Sequence, residues 1–266
     1  MTVRNLPIGV FDSGMGGLTV LKSLRSRLPK EDFVYLGDTA RLPYGTKSSQ
    51  TVNRYALQAS SKLVETKIKA LVVACNTASS FALEMLAKAY RSIPVYGVVE
   101  PGAAAACKIA NHTGILILAT ESTVQGGAYQ KSILAKTPRL PIYARACPLW
   151  VTLAEQGLDD QSLSFRLVEH YFKGFNGDGP TTVLLGCTHF PILLPFFDRV
   201  VDDRFTIVDS AETTADSVAN ELEMKGLLNV EGGSVSFMAT DGIERFCRIG
   251  ERFLGEDVRS VLKVDL

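Results

Sequence analysis

The sequence predicts an α/β fold of two similar lobes, each a mainly parallel sheet flanked by helices. Three observations lead there. Short apolar runs rich in Val and Ile recur along the whole chain, and several are apolar at successive positions, as in Leu71-Val72-Val73 and Val183-Leu184-Leu185. Strands buried on both faces read this way. Segments of helical spacing lie between the runs, and strand alternating with helix is the pattern of βαβ units. Finally, two stretches echo each other, Leu71-Val72-Val73-Ala74-Cys75-Asn76-Thr77 and Val183-Leu184-Leu185-Gly186-Cys187-Thr188-His189.

In chain order, the first strand falls at 8–13 and leads to Leu18, Leu21, Leu24 and Leu28 at helical spacing. A strand at 33–38 precedes a helix carrying Val52, Tyr55, Ala59 and Leu63, and one at 70–75 precedes Phe81, Met85 and Ala89. Strands at 94–99, 114–120, 142–147, 182–187, 205–210 and 235–240 follow, with helices at 122–136, 162–174, 213–225 and 242–254. Crossovers near 94–101 and 209–214 divide the chain into one lobe of 1–99 with 211–266, and a second of 100–210.

Composition narrows the function. The chain has 266 residues, 46% hydrophobic and 21% charged, as in a folded globular protein. Lys+Arg and Asp+Glu each number 28, so no cationic surplus suits a nucleic acid or a polybasic membrane contact. No apolar run approaches the roughly 18–20 residues of a membrane span. No signal-peptide core precedes the first strand, and five cysteines, an odd number, do not form a disulfide framework. These features predict a reducing, cytoplasmic setting.

The strand ends carry the chemistry. Asp12-Ser13, Asp38-Thr39, Cys75-Asn76-Thr77, Glu100, Thr120, Cys187-Thr188-His189 and Asp209-Ser210 all follow apolar runs. Ligands of open α/β sheets bind at the carboxyl ends of strands. Helix capping accounts for some of the Asp, Ser and Thr, but not for cysteine. Cys75 and Cys187 are both expected at strand-to-helix turns, where backbone N–H groups and the helix dipole favour a thiolate. Cys107, Cys147 and Cys247 read as structural, as do His112 and His170. His189, two residues past a candidate thiol, is placed to tune or orient it. The cysteines contain no C-x-x-C, and Cys187-Thr188-His189 is the one close Cys–His pair, so a structural zinc is disfavoured. Asp12-Ser13-Gly14-Met15-Gly16-Gly17 invites a dinucleotide reading with Asp38 as the ribose acid, but Thr19 stands where a third glycine belongs. Its glycines also let a backbone approach a ligand's carboxylate or amine.

Phe11-Asp12-Ser13-Gly14-Met15-Gly16-Gly17, Gly37-Asp38, Pro43-Tyr44-Gly45, Ala74-Cys75-Asn76-Thr77-Ala78, Gly97-Val98-Val99-Glu100-Pro101 and Gly186-Cys187-Thr188-His189-Phe190-Pro191 together resemble the bacterial glutamate racemases, in order from about residue 8 to 215. The resemblance implies a cofactor-independent enzyme that supplies D-glutamate for peptidoglycan, with its site in the cleft between the lobes. It implies that Cys75 and Cys187 are the acid/base thiols, with Asp12 beside the first and His189 beside the second. Glu155 would be a supporting acid near the second thiol. Asp12, Ser13, Tyr44, Gly45, Asn76, Thr77, Thr188 and His189 would contact substrate, with Thr120 and Thr123 as further candidates. It also implies a homodimer. The C-terminal 50 or so residues carry no such motif.

The chemistry is consistent on its own terms. Racemisation needs a base on one face of the α-carbon and an acid on the other, and two thiols from opposed lobes meet that need. Without pyridoxal phosphate, a dry cleft and donors on the α-carboxylate must stabilise the carbanion. Three rivals stand beside this reading: an aspartate racemase of the same superfamily, a two-lobed amino-acid-binding regulatory protein, and an NAD-linked oxidoreductase.

Overall fold

A computed structural model describes residues 2–157, 160–175, 179–197 and 205–266. The chain runs β1 (Ile8–Asp12), α1 (Leu18–Arg27), β2 (Phe33–Gly37), α2 (Ser49–Glu65), β3 (Ala70–Val73), α3 (Asn76–Ala89), β4 (Val95–Gly97) and α4 (Val99–Ile109). It continues with β5 (Ile115–Ala119), α5 (Glu121–Gly126), α6 (Ala128–Lys136), β6 (Ile142–Ala146), α7 (Pro148–Gln156), α8 (Gln161–Phe172), β7 (Thr182–Gly186) and α9 (Leu194–Phe197). The last elements are β8 (Thr206–Asp209), α10 (Ser210–Met224), β9 (Val235–Ala239), α11 (Ile243–Leu254) and β10 (Leu262–Lys263).

The strands form two sheets, one ordered β10-β9-β2-β1-β3-β4 and the other β6-β5-β7-β8. Every pairing in both is parallel. Side chains alternate across a strand, so both faces of each sheet need cover. Val10 and Val72 enter one apolar core, while their neighbours Phe11, Leu71 and Val73 enter the core on the opposite face. In the second sheet Leu116 and Leu118 face one core, and Ile115, Ile117 and Ala119 the other. The continuous apolar runs are this two-sided burial.

Both sheets change direction at a strand pair. In the first, β1 lies between β2 and β3; in the second, β5 lies between β6 and β7. Such a switch point opens a crevice at the strands' carboxyl ends. Register fixes what lines it. Phe11 pairs with Val73, which carries Ser13 and Cys75 out of the sheet side by side. Ala119 pairs with Gly186, so Thr120 and Cys187 emerge together.

Two local expectations change. The helix expected over 122–136 is two helices, broken where Gly127 takes a φ of 67°. The segment after Cys187 is a turn leading to a short 3-10 stretch, Phe190–Leu193, and not the start of a long helix. The C-terminal segment adds β9 and β10 to the first sheet, and α11 packs on α1. Among the described residues, no helix is long and apolar enough to cross a membrane.

Candidate active site

A cavity of about 210 Å³ lies where the two switch points face each other. Cys75 and Cys187, Ser13, Tyr44, Gly45, Asn76, Thr77, Thr188 and His189 all line it, as does Thr120. Asp12, Glu155 and Thr123 stand behind that wall and touch residues in it, as described below.

Cys75 is the N-cap of α3, and its Sγ accepts a hydrogen bond from the Ala78 N–H at 3.4 Å. The same sulfur lies 3.6 Å from the Ser13 hydroxyl. Complete burial nevertheless pushes the thiol up to about 12, and the nearby Asp12 carboxylate adds to this, outweighing both hydrogen bonds. Cys75 therefore rests as a thiol. Asp12 is itself buried at the end of β1; its Oδ2 accepts from the Gly14 N–H at 2.9 Å while Oδ1 has no partner. Burial raises its pKa, partly offset by the His189 charge and by N–H groups of Gly14, Gly17 and Ser13.

Cys187 has a different neighbourhood. Lacking a helix N-terminus, it lies 3.8 Å from His189 Nδ1. His189 Nε2 is 3.0 Å from Glu155 Oε1. Burial alone would lower the imidazole pKa, but the contacts with Cys187 and Glu155 more than reverse this and hold it at about 10. The imidazolium sets a positive charge beside the Cys187 sulfur. Glu155 stays ionised below the ordinary carboxylate range, because its bonds to His189 and Arg245 overcome its burial. The two thiols thus sit in unlike fields, one next to a carboxylate and the other next to a cation.

The remaining polar groups hold the two lobes together and furnish donors. Thr77 on α3 meets Thr120 at 2.9 Å and Thr123 at 3.1 Å, which joins the carboxyl ends of the two sheets. Ser122 donates to the carbonyls of Gly45 and Lys47. Asn76 donates to the Tyr129 hydroxyl at 2.7 Å, and its buried Oδ1 has no partner. Thr120 also caps α5, so capping and cavity lining coincide there.

The glycine run after β1 has a steric purpose. A Cβ on Gly16 would lie 2.4 Å from His189 Nδ1 and 2.5 Å from Thr188 Oγ1, both on the opposite lobe. Thr19 then bonds the Thr188 carbonyl at 3.0 Å. Asp38 is not free to hold a ribose: it accepts from the Tyr44 hydroxyl at 2.5 Å, from Arg41 at 2.6 Å and from Thr240 at 3.0 Å. Its task is to hold Tyr44 in the cavity wall.

Cys147 is buried against the Arg145 carbonyl, Cys107 meets Thr137, and Cys247 lies on α11, all outside the cavity. Among the described residues, no three His, Cys, Asp or Glu group as metal ligands. Sequence reasoning missed two contributors. The first is the start of α7, where Pro148, Leu149, Val151 and Thr152 close the cavity; Cys147-Pro148 was the one signal of a helix start there. The second is Arg245 on α11, which bonds Glu155 Oε2 at 2.9 Å.

Two parallel sheets thus face each other across this cavity, each with a free thiol at its switch point. The chain belongs to the Asp/Glu/Hydantoin racemase family, whose model matches residues 8–218. It is 45% identical over 261 residues to the glutamate racemase of Geobacter metallireducens, covering 97% of this chain and 96% of that one. The crystal structure of the glutamate racemase isoform RacE1 from Bacillus anthracis superposes with a TM-score of 0.94 at 37% identity, over 99% of this chain and 98% of that one. The Francisella tularensis glutamate racemase in complex with D-glutamate gives 0.92 at 33% identity, over 98% of each chain.

Proposed function

We propose that this protein interconverts L- and D-glutamate without a cofactor, by proton transfer between the α-carbon and two thiols, and so supplies D-glutamate for peptidoglycan. The observation that carries the reading is the presence of Cys75 and Cys187, from different sheets, in the wall of one cavity. A binding protein needs no such pair, and the relatives at high identity are glutamate racemases.

In the direction from L-glutamate, Cys187 is the base. Its thiolate, paired with the His189 imidazolium, takes the α-proton, and the C–H electron pair remains on the substrate as a carbanion. Cys75, resting as a thiol, then delivers a proton to the opposite face and becomes the thiolate. From D-glutamate the roles reverse. Asp12 beside Cys75 and His189 beside Cys187 assist each thiol, and Glu155 steadies His189. Ser13, Tyr44, Gly45, Asn76, Thr77 and Thr188 hold the substrate, with hydroxyl and backbone N–H donors on the α-carboxylate stabilising the carbanion. The unpartnered Asn76 Oδ1 suits the ammonium group. The lobes are 1–99 with 211–266, and 100–210; family membership supports a homodimer in the cytoplasm.

Circular dichroism of D- or L-glutamate incubated with the purified protein, with no added cofactor, tests this. The signal should decay to zero from either enantiomer. Decay with aspartate and none with glutamate would move the substrate to aspartate, and binding of glutamate without decay would leave an amino-acid binder.

A further inference from the structure

We infer that Arg245, on the C-terminal helix α11, is a positioning residue for the Cys187 half of the reaction, acting through Glu155 and His189. This rests on the racemase reading above. Glu155 Oε1 meets His189 Nε2 at 3.0 Å, and Oε2 meets Arg245 Nη2 at 2.9 Å. The carboxylate is thus held from both ends, and the orientation of the first contact depends on the second.

The same helix braces the dyad elsewhere. The Phe253 ring meets His189 edge-on with centroids 5.3 Å apart. The Arg252 guanidinium lies over Gly157, which ends the helix that carries Glu155; a Cβ there would come within 2.7 Å of it. Three residues of α11 therefore bear on the Glu155–His189 pair, although α11 belongs to the other sheet's lobe. The carboxylate is 8% exposed and the Arg245 side chain 44%, so the anion is buried while its cationic partner reaches solvent. A buried carboxylate deprived of its charged partner takes up a proton more readily, and a protonated Glu155 no longer supports the imidazolium that faces Cys187. Burial by itself would raise Glu155, and the charges of His189 and Arg245 lower it.

Among the described residues, the charged and titratable groups around this pair are Cys187 on the segment of His189 itself, Asp12 from β1, Glu155 from α7, and Arg245 with Arg252 from α11. Loss of Arg245 alters only the cationic side. It should move the acid limb of the kcat/KM profile to higher pH, because Glu155 then protonates earlier as pH falls. The two enantiomers have equal free energy in water, so kcat/KM must fall by the same factor in both directions.

The experiment compares wild type, Arg245→Ala and Arg245→Lys over the full pH range. Arg245→Ala should lower kcat/KM at neutral pH by about tenfold, the loss of a charge-assisted hydrogen bond discounted for solvent exposure. Its acid limb should shift upward, and Arg245→Lys, which restores one cationic donor, should return the limb toward wild type. Far-UV circular dichroism checks that the variants fold; an alanine near the start of a helix favours it. An Arg245→Ala profile with unmoved limbs, whatever its height, overturns the inference, and so does a shift that lysine fails to reverse. A wild type that leaves the rotation of glutamate unchanged overturns instead the racemase reading, so the two failures are distinct.

Discussion

Changing Gly16 to alanine probes the contact that seats one lobe on the other. The added Cβ would lie 2.4 Å from His189 Nδ1, 2.5 Å from His189 Cε1 and 2.5 Å from Thr188 Oγ1. Ordinary van der Waals contact begins near 3.4 Å, so the imidazole or the loop must give way by about 1 Å. Neither is free to do so. Glu155 bonds His189 at 3.0 Å, Phe253 packs on its ring, and Thr19 bonds the Thr188 carbonyl at 3.0 Å. Overpacking of this kind costs about 1–3 kcal/mol, which for a chain of this size lowers Tm by several degrees. The kinetic effect should be larger, because a shift of about 1 Å in a catalytic group costs about 100-fold. Gly14→Ala is the internal control, since its Cβ would meet only the mobile end of Leu42 at 3.2 Å. The assay is calorimetry with the circular-dichroism rate on the same preparations. Wild-type melting and turnover in Gly16→Ala, or an equal loss in Gly14→Ala, would refute the steric argument.

Cys75→Ser and Cys187→Ser should each cut racemisation by about 10²–10⁴-fold or more while folding normally, because serine is a far weaker acid; Cys107→Ser, Cys147→Ser and Cys247→Ser should keep turnover, as measured by optical rotation. Asp12→Asn should raise Tm in scanning calorimetry, since it removes a buried carboxylate with one unpartnered oxygen, and should slow racemisation. The raised pKa of His189 makes stability depend on pH. Its stabilisation is complete below the ordinary value of 6.5 and is lost as pH rises through about 10, so Tm should fall across that window. Glu155→Gln should flatten that slope in pH-dependent melts.

Much of the architecture was legible because it rests on local physics. Leu71-Val72-Val73 is apolar throughout because its side chains feed two cores at once, and the same holds for Ile115-Leu116-Ile117. Cys75-Asn76-Thr77 and Cys187-Thr188-His189 declared themselves by their position at the ends of such strands. What was missed had only a weak local mark. The helical periodicity runs through the Gly126-Gly127 pair where the helix breaks, and α7 has only Pro148 to announce it.

The sequence by itself determined the two parallel sheets, the strand-end positions and the pair of thiols, since periodicity and residue type depend on near neighbours along the chain. Only the tertiary structure decided how unlike the two thiols are. Cys75 and Cys187 stand in matching motifs, yet one caps a helix beside Asp12 and the other faces an imidazolium held by Glu155 and Arg245. Arg245 lies 90 residues from Glu155 along the chain. Electrostatic fields and hydrogen bonds act through space, so the groups that tune a buried thiol are set by the fold's return path, which no local pattern encodes.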